Sequence, residues 1–315
     1  MLQRILSSQE NLLRYHVNPQ IFRQIDYPKR HAGINSIKIM GEAKDQVPIM
    51  VLHGFGSGLG LFFPILSPLA ASKRTIYLID WLGFGGSDRP KLPGLFPSRK
   101  LQSAEFFTAS LKAWMDEEEI SNCLMISHSL GGLLSVRFSE KYPGYINQLV
   151  LASPAGLGHG RSDFFLKKSI RAALIDGLWT LDFTPQKIVR LVGEARGRNM
   201  VRDIIHRRFG NRVSWNLNLV ADYIYEVSSA NPSGEYALNA LLAPPFSNGG
   251  IIARNPIPQT LPIPVHTIFG DRDWLATKSG IEHANKLGKL SILQNSGHHL
   301  YFDNPNEFVN LCFSK

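Results

Sequence analysis

The residues best placed for chemistry are a serine, an aspartate and a histidine, met in that order along the chain and each just beyond an apolar run. Residues 122–128 (NCLMISH) lead straight into Ser129-Leu130-Gly131-Gly132 and then a helical pattern. A serine at a sharp strand-to-helix turn has its hydroxyl lifted above the sheet edge, and the turn needs small residues two positions to either side. Ser129 fits that place as a nucleophile, with Ser127 standing where glycine is usual, so the pattern reads S-x-S-x-G. Serine is the next-smallest polar choice, which makes the departure tolerable. The same residue could instead cap the helix, with Gly131 and Gly132 merely allowing close packing, and the motif alone does not separate the two readings.

The context favours a nucleophile. Acyl transfer needs two backbone N–H donors aimed at the developing oxyanion, one from the residue after the nucleophile and one from a loop after an early strand. Leu130 holds the first position, and Phe55, in His53-Gly54-Phe55-Gly56, holds the second. A general base and an orienting acid should follow in the order Ser, acid, His. Gly270-Asp271-Arg272-Asp273-Trp274 and Ser296-Gly297-His298-His299 stand after the next apolar runs, where open α/β sheets gather their ligands. Asp273 is preferred to Asp271 because the later position leaves the strand end far enough to reach a neighbouring loop. His298 is the expected base. A second spacing, H-x-x-x-x-D from His298 to Asp303, is an acyltransferase-like pair in which His activates a hydroxyl and Asp orients it. Asp303 also precedes Asn304-Pro305, a ready helix start, and an N-cap role is the stronger expectation for it.

These residues must be positioned by alternating strands and helices. Apolar runs at 34–40, 48–53, 75–80, 122–128, 146–152, 264–270 and 289–294 alternate with helical patterns at 61–72, 103–119, 130–141 and 278–287. Such alternation builds an α/β fold with a mostly parallel central sheet. The alternation breaks over 155–255, where the pattern is helical, basic and punctuated by Gly and Pro. The expected organisation is an N-terminal segment (1–33), a first core part (34–154), a basic helical lid insertion (155–255) and a second core part (256–315).

Charge and composition narrow the class further. With 44% hydrophobic and 19% charged residues the chain is ordinary globular protein, and disorder, collagen and coiled coil are excluded. The net charge of +9 favours an anionic partner, and residues 161–215 hold twelve basic side chains against five acids, which is +7 of that total. Nucleic acid is not expected, because the basic residues accompany bulky aliphatics rather than a recognisable binding module. Cys123 and Cys312 are too few for a disulfide framework and suit buried, reduced thiols in an intracellular setting. No run is long and apolar enough to span a membrane, and the first 30 residues make only a weak mitochondrial presequence because they include acids. No metal site and no nucleotide-binding loop is evident, so no cofactor is expected.

Taken together, the segments LHGFGSGLGLF (52–62), DWLGFGGSDRP (80–90), AEFFTASLKAW (104–114), SHSLGG (127–132), LASPAGL (151–157), GDRDW (270–274) and SGHHLYFDNPNEF (296–308) resemble the α/β-hydrolase superfamily. More narrowly they resemble its lipid-handling branch of abhydrolase-domain proteins four and five and the fungal cardiolipin-specific deacylase. The resemblance implies an α/β-hydrolase fold and a lipid substrate with a fatty-acyl ester. It carries Ser129 over as nucleophile, His298 as base, Asp273 as acid and Phe55 with Leu130 as the oxyanion loop. The lipase-activating relative has asparagine at the nucleophile position, so Ser129 implies intact hydrolase chemistry here.

The leading expectation is a serine phospholipase or lysophospholipase acting through an acyl-serine. The alternatives are a lysophosphatidic acid acyltransferase using His298 and Asp303, and a non-enzymatic lipid-binding activator of another lipase. The lid, with windows such as 163–183 that mix Phe, Leu and Trp with basic residues, would meet an anionic membrane or lipid-droplet surface. Peripheral attachment at mitochondria, lipid droplets or endoplasmic reticulum fits that expectation.

Overall fold

Apolar runs too short for helices become the inner strands of one eight-stranded sheet, in the order β1-β2-β4-β3-β5-β6-β7-β8. The computed structural model describes residues 1–43, 45–92, 99–158, 170–210, 212–248 and 250–314. The strands are β1 Ile25–Asp26, β2 Ser36–Ile39, β3 Ile49–Leu52, β4 Ile76–Ile79, β5 Cys123–His128, β6 Ile146–Ala152, β7 Val265–Gly270 and β8 Lys289–Leu293. From β4 to β8 every neighbouring pair is parallel, while β1 and β2 join antiparallel. Every residue of β3, β4, β5 and β7 is buried, as strands covered on both faces require.

Helices cover both faces: α1 Leu2–His16, α2 Pro19–Phe22, α3 Phe63–Ala70, α4 Arg99–Glu117, α5 Leu130–Lys141, α12 Lys278–Leu287, α13 Leu300–Asp303 and α14 Pro305–Phe313, with α6–α11 between β6 and β7. The six in between are α6 Ile170–Thr180, α7 Pro185–Leu191, α8 Glu194–Phe209, α9 Leu217–Ser229, α10 Ala237–Leu241 and α11 Pro245–Asn248. One apolar core, with Trp114, Phe138 and Leu149, lies under α4 and α5. The other runs from Phe62 and Leu66 through Tyr223, Phe209 and Val201 of α8 and α9 to Leu12 of α1. The inserted helices α8 and α9 therefore share a core with the sheet.

The amino-terminal segment that reads as a weak presequence is a packed helix. Ile5, Leu12 and Leu13 of α1 are buried, and Arg4 bonds Glu226 of α9 at 3.1 Å. Among the described residues no helix is long and apolar enough to cross a membrane. Both cysteines are buried and unpaired, and burial pushes the Cys123 thiol up to about 12.

The charge of the basic stretch is partly answered from within. Arg190 pairs with Glu235, and Arg198 with Glu194, Asp222 and Glu226. Three of those acids, Asp222, Glu226 and Glu235, lie just past the stretch that carries the basic excess. Arg161, Asp163, Lys167 and Lys168 lie outside the described residues, as does the first part of the 163–183 window.

Candidate active site

Ser129 sits between the last residue of β5 and the first of α5 with φ 54° and ψ −119°. A non-glycine residue in that region carries strain of order 1–3 kcal/mol and persists only where its surroundings over-determine it. Here its N–H donates to Ala152 O, and its own carbonyl accepts from Gly132 and Ala155, each at 3.0 Å. It occupies the N-cap position of α5, yet its side chain caps nothing. The hydroxyl lies 3.1 Å from His298 Nε2 instead. Ser127 is accommodated where glycine is usual because its hydroxyl bonds that of Ser135 in α5 at 2.6 Å.

His298 follows β8, and its Nδ1 lies 3.0 Å from Asp273 Oδ1, just beyond β7. Burial alone would raise the Asp273 carboxyl, but the hydrogen bond and charge of His298 outweigh it and hold the pKa below the usual value. Leu275 N–H adds a 3.0 Å bond to the same oxygen. Serine, imidazole and carboxylate thus form one continuous relay from three strand ends. Asp271 is turned to a different task, accepting the N–H of Ser296 at 2.8 Å and so tying the β7 loop to the loop of His298.

The glycine loop after β3 lies against the serine. A Cβ on Gly54 would meet Ser129 Cβ at 2.8 Å, and one on Gly131 would meet His53 O at 2.4 Å, so both approaches require glycine. Phe55 and Leu130 line the same cavity as Ser129. Neither N–H has an acceptor among the described residues, as donors reserved for an incoming oxygen would be.

Sequence reasoning missed the braces of this loop. Asp80, fully buried after β4, accepts from Leu59 N–H at 2.6 Å, Gly86 N–H at 2.7 Å and Asn35 Nδ2 at 2.7 Å. His53 accepts from Trp81 N–H at Nε2 and donates from Nδ1 to Gly54 O. Tyr223 of α9 lies over Gly58 and Gly60, its hydroxyl accepting the Gly60 N–H at 3.2 Å. The only signal for these roles was the clustering of glycines at 54–60 and 83–86.

Asp303 departs from expectation. Helix α14 has Asn304 at its N-cap, without a side-chain cap bond, and Asp303 is the last residue of α13. Its Oδ2 accepts the Gly297 N–H at 2.8 Å and pairs with Arg212. The N-cap reading is therefore corrected: a long-range partner on the loop before His298 takes the carboxylate. The imidazole Nδ1 that an orienting acid would contact is bonded to Asp273.

Above the relay is a cavity of about 500 Å³, lined by Ala155, Leu178, Trp179, Phe183, Leu238 and Leu242 among others. His128 and His299 stand behind His298, and burial drives both well below the ordinary histidine value, so their rings are neutral. His128 donates from Nε2 to the His298 carbonyl at 2.9 Å. Among the described residues no group of His, Cys, Asp and Glu could hold a metal.

Comparison with known proteins agrees with this architecture. Residues 47–305 match the family model described as alpha/beta hydrolase fold. A mouse (Mus musculus) protein named (Lyso)-N-acylphosphatidylethanolamine lipase is 28% identical, the match covering 98% of this chain and 90% of that one. A rice (Oryza sativa subsp. japonica) protein named probable 1-acylglycerol-3-phosphate O-acyltransferase is 31% identical, covering 89% and 69%. A bacterial membrane phospholipase A shares the fold, with a TM-score of 0.64 at 17% identity over 98% of this chain and 88% of that one. The sheet, the strand-end relay and these likenesses agree: the chain belongs to the α/β-hydrolase family.

Proposed function

We infer that this protein is a serine hydrolase that cleaves fatty-acyl esters of phospholipids or lysophospholipids. The observation that carries the reading is the Ser129–His298–Asp273 relay, 3.1 and 3.0 Å per link, opening into a cavity walled by aliphatic and aromatic side chains. The mouse and rice relatives are both named for glycerophospholipid substrates, which supports that lipid class.

In the proposed cycle His298 Nε2 takes the Ser129 proton as Oγ attacks the ester carbonyl. Asp273 accepts from Nδ1–H, fixing the tautomer and stabilising the imidazolium. The N–H groups of Phe55 and Leu130 receive the oxyanion. Collapse expels the alcohol with the proton from His298, leaving acyl-Ser129, and water activated by His298 then releases the fatty acid. A lysophospholipid hydroxyl arriving before water would receive the acyl group at the same site, and the name of the rice relative favours this second reading.

Lipid would be met at the lid. Leu174, Leu181, Leu191 and Ile204 are exposed there, beside Arg196 and Arg202, which have no acidic partner among the described residues. Apolar side chains flanked by cations suit an anionic interface. The central test is Ser129→Ala, which should abolish both fluorophosphonate labelling and fatty-acid release from phospholipid micelles. Labelling or release retained at the wild-type rate would sink the assignment.

A further inference from the structure

A second apolar cavity of about 390 Å³ lies beside the first, between α7, α8 and α9. Its walls include Leu61, Val201, Ile205, Val220, Ile224 and Phe302. Both volumes are in the range of ligand sites. The two cavities share Phe55, Ser57, Pro185, Ile188, Arg208 and His299, so they meet next to Ser129 rather than lying apart.

The shared residue that does not suit an apolar wall is Arg208. Its neighbour Arg212 is neutralised by Asp303, whereas Arg208 has no hydrogen bond or ion pair among the described residues. The side chain is open to the cavities although protein surrounds it closely, and that crowding depresses its pKa. Asp303 and Asp273 act on it only from a distance, Asp303 being bonded to Arg212 and Asp273 to His298, so a guanidinium at the meeting point of two apolar chambers keeps its donors free for an anionic ligand. Guanidinium offers a planar fork of donors that matches phosphate oxygens.

We propose that Arg208 binds the phosphate of a two-chain glycerophospholipid, with one acyl chain in each of the two cavities that meet beside it. The chemistry of that lipid fits the layout: phosphate and both chains branch from one three-carbon unit, so the anion lies where the chains diverge. A neutral diacylglycerol would leave Arg208 desolvated and unpaired, and a lysophospholipid would leave one chamber empty. This inference rests on the phospholipid reading above, specifies its substrate further, and is tested by binding so that the two can fail separately.

The experiment is calorimetric titration of the full chain carrying Ser129→Ala, which prevents turnover. The probes are dihexanoyl phosphatidate, dihexanoylglycerol, monohexanoyl lysophosphatidate and inorganic phosphate. Phosphatidate should bind at least tenfold more tightly than each of the other three. Adding Arg208→Gln should bring phosphatidate to the level of dihexanoylglycerol, and Arg208→Lys should fall between. Ile224→Trp, which fills the second cavity, should weaken phosphatidate at least fivefold more than lysophosphatidate. Thermal melts of each variant check that the fold is kept. The inference is overturned if phosphatidate and dihexanoylglycerol bind equally, or if Arg208→Gln, still folded, keeps the preference. Inorganic phosphate binding as tightly as phosphatidate would make this a free-phosphate site and overturn it too. Arg208-dependent binding by a protein that hydrolyses no lipid would refute the hydrolase reading alone.

Discussion

Gly54 offers the sharpest test of how the site is assembled. In Gly54→Ala the new Cβ would stand 2.8 Å from Ser129 Cβ and 3.0 Å from His128 Nδ1. Carbon atoms rest about 3.5–4.0 Å apart, so the loop or the serine must yield by about 0.7 Å or more. Neither does so cheaply: Ser129 is held by three backbone bonds, and the Gly54 carbonyl is held by His53 Nδ1 at 2.7 Å. Overpacking of this kind costs about 1–3 kcal/mol of stability. A displacement near 1 Å between reacting groups costs up to about a hundredfold in rate. The variant should therefore turn over p-nitrophenyl butyrate about ten- to a hundredfold more slowly and react with a fluorophosphonate correspondingly slowly. Gly177→Ala is the control, because its Cβ meets nothing within 4 Å and the site lies inside α6. It should gain about 0.5–1 kcal/mol from helix propensity. Wild-type turnover by Gly54→Ala, with an unchanged urea midpoint, would refute both the contact and the oxyanion role given to the Phe55 N–H.

Two further outcomes follow from the same geometry. His53, His128 and His299 all have pKa values held below 6.5, burial being the largest cause, so the unfolded chain binds protons that the fold refuses. Stability is then complete above about pH 6.5 and declines as the pH falls, each ring adding a slope of at most about 1.4 kcal/mol per unit. Urea midpoints measured from pH 8 to pH 5 should show this, and a flat profile would mean that these rings are charged in the fold. Asp303→Ala strips the Gly297 N–H and Arg212 of their acceptor, at a cost of about 1–3 kcal/mol, and should lower hydrolysis and acyl transfer alike by loosening the His298 loop. Loss of transfer alone, measured with a lysophospholipid acceptor, would give Asp303 a chemical part instead.

Period and punctuation made the central elements legible. Residues 146–152, 130–141 and 278–287 are bounded in the structure as the sequence pattern bounds them, because strands buried on both faces and helices with clear ends leave strong local signals. Strand β1 escaped because two residues carry no alternation, and it exists only through pairing with β2. The relay residues were readable as types at strand ends, whereas their braces were not. Asp80 gathers donors from Asn35, Leu59 and Gly86, and nothing local announces such a convergence. Asp303 and Asn304 are neighbours with equal capping chemistry, and what separates them is Arg212, 91 residues away. The basic excess over 161–215 was readable too, but its meaning changed once Glu226 and Glu235 were found facing Arg198 and Arg190.

The bond from Arg4 to Glu226 joins residues 222 positions apart. A ribosome adding about 5–20 residues per second takes roughly 10–40 s to cover that distance. Throughout that interval α1 has been made but α9, which covers its apolar stripe of Ile5, Leu12 and Leu13, has not. The nascent chain therefore carries α1 as an uncovered amphipathic helix, a ready target for chaperones or a nearby bilayer. Completion of α9 withdraws it, which ties the burial of α1 to the synthesis of a helix far downstream.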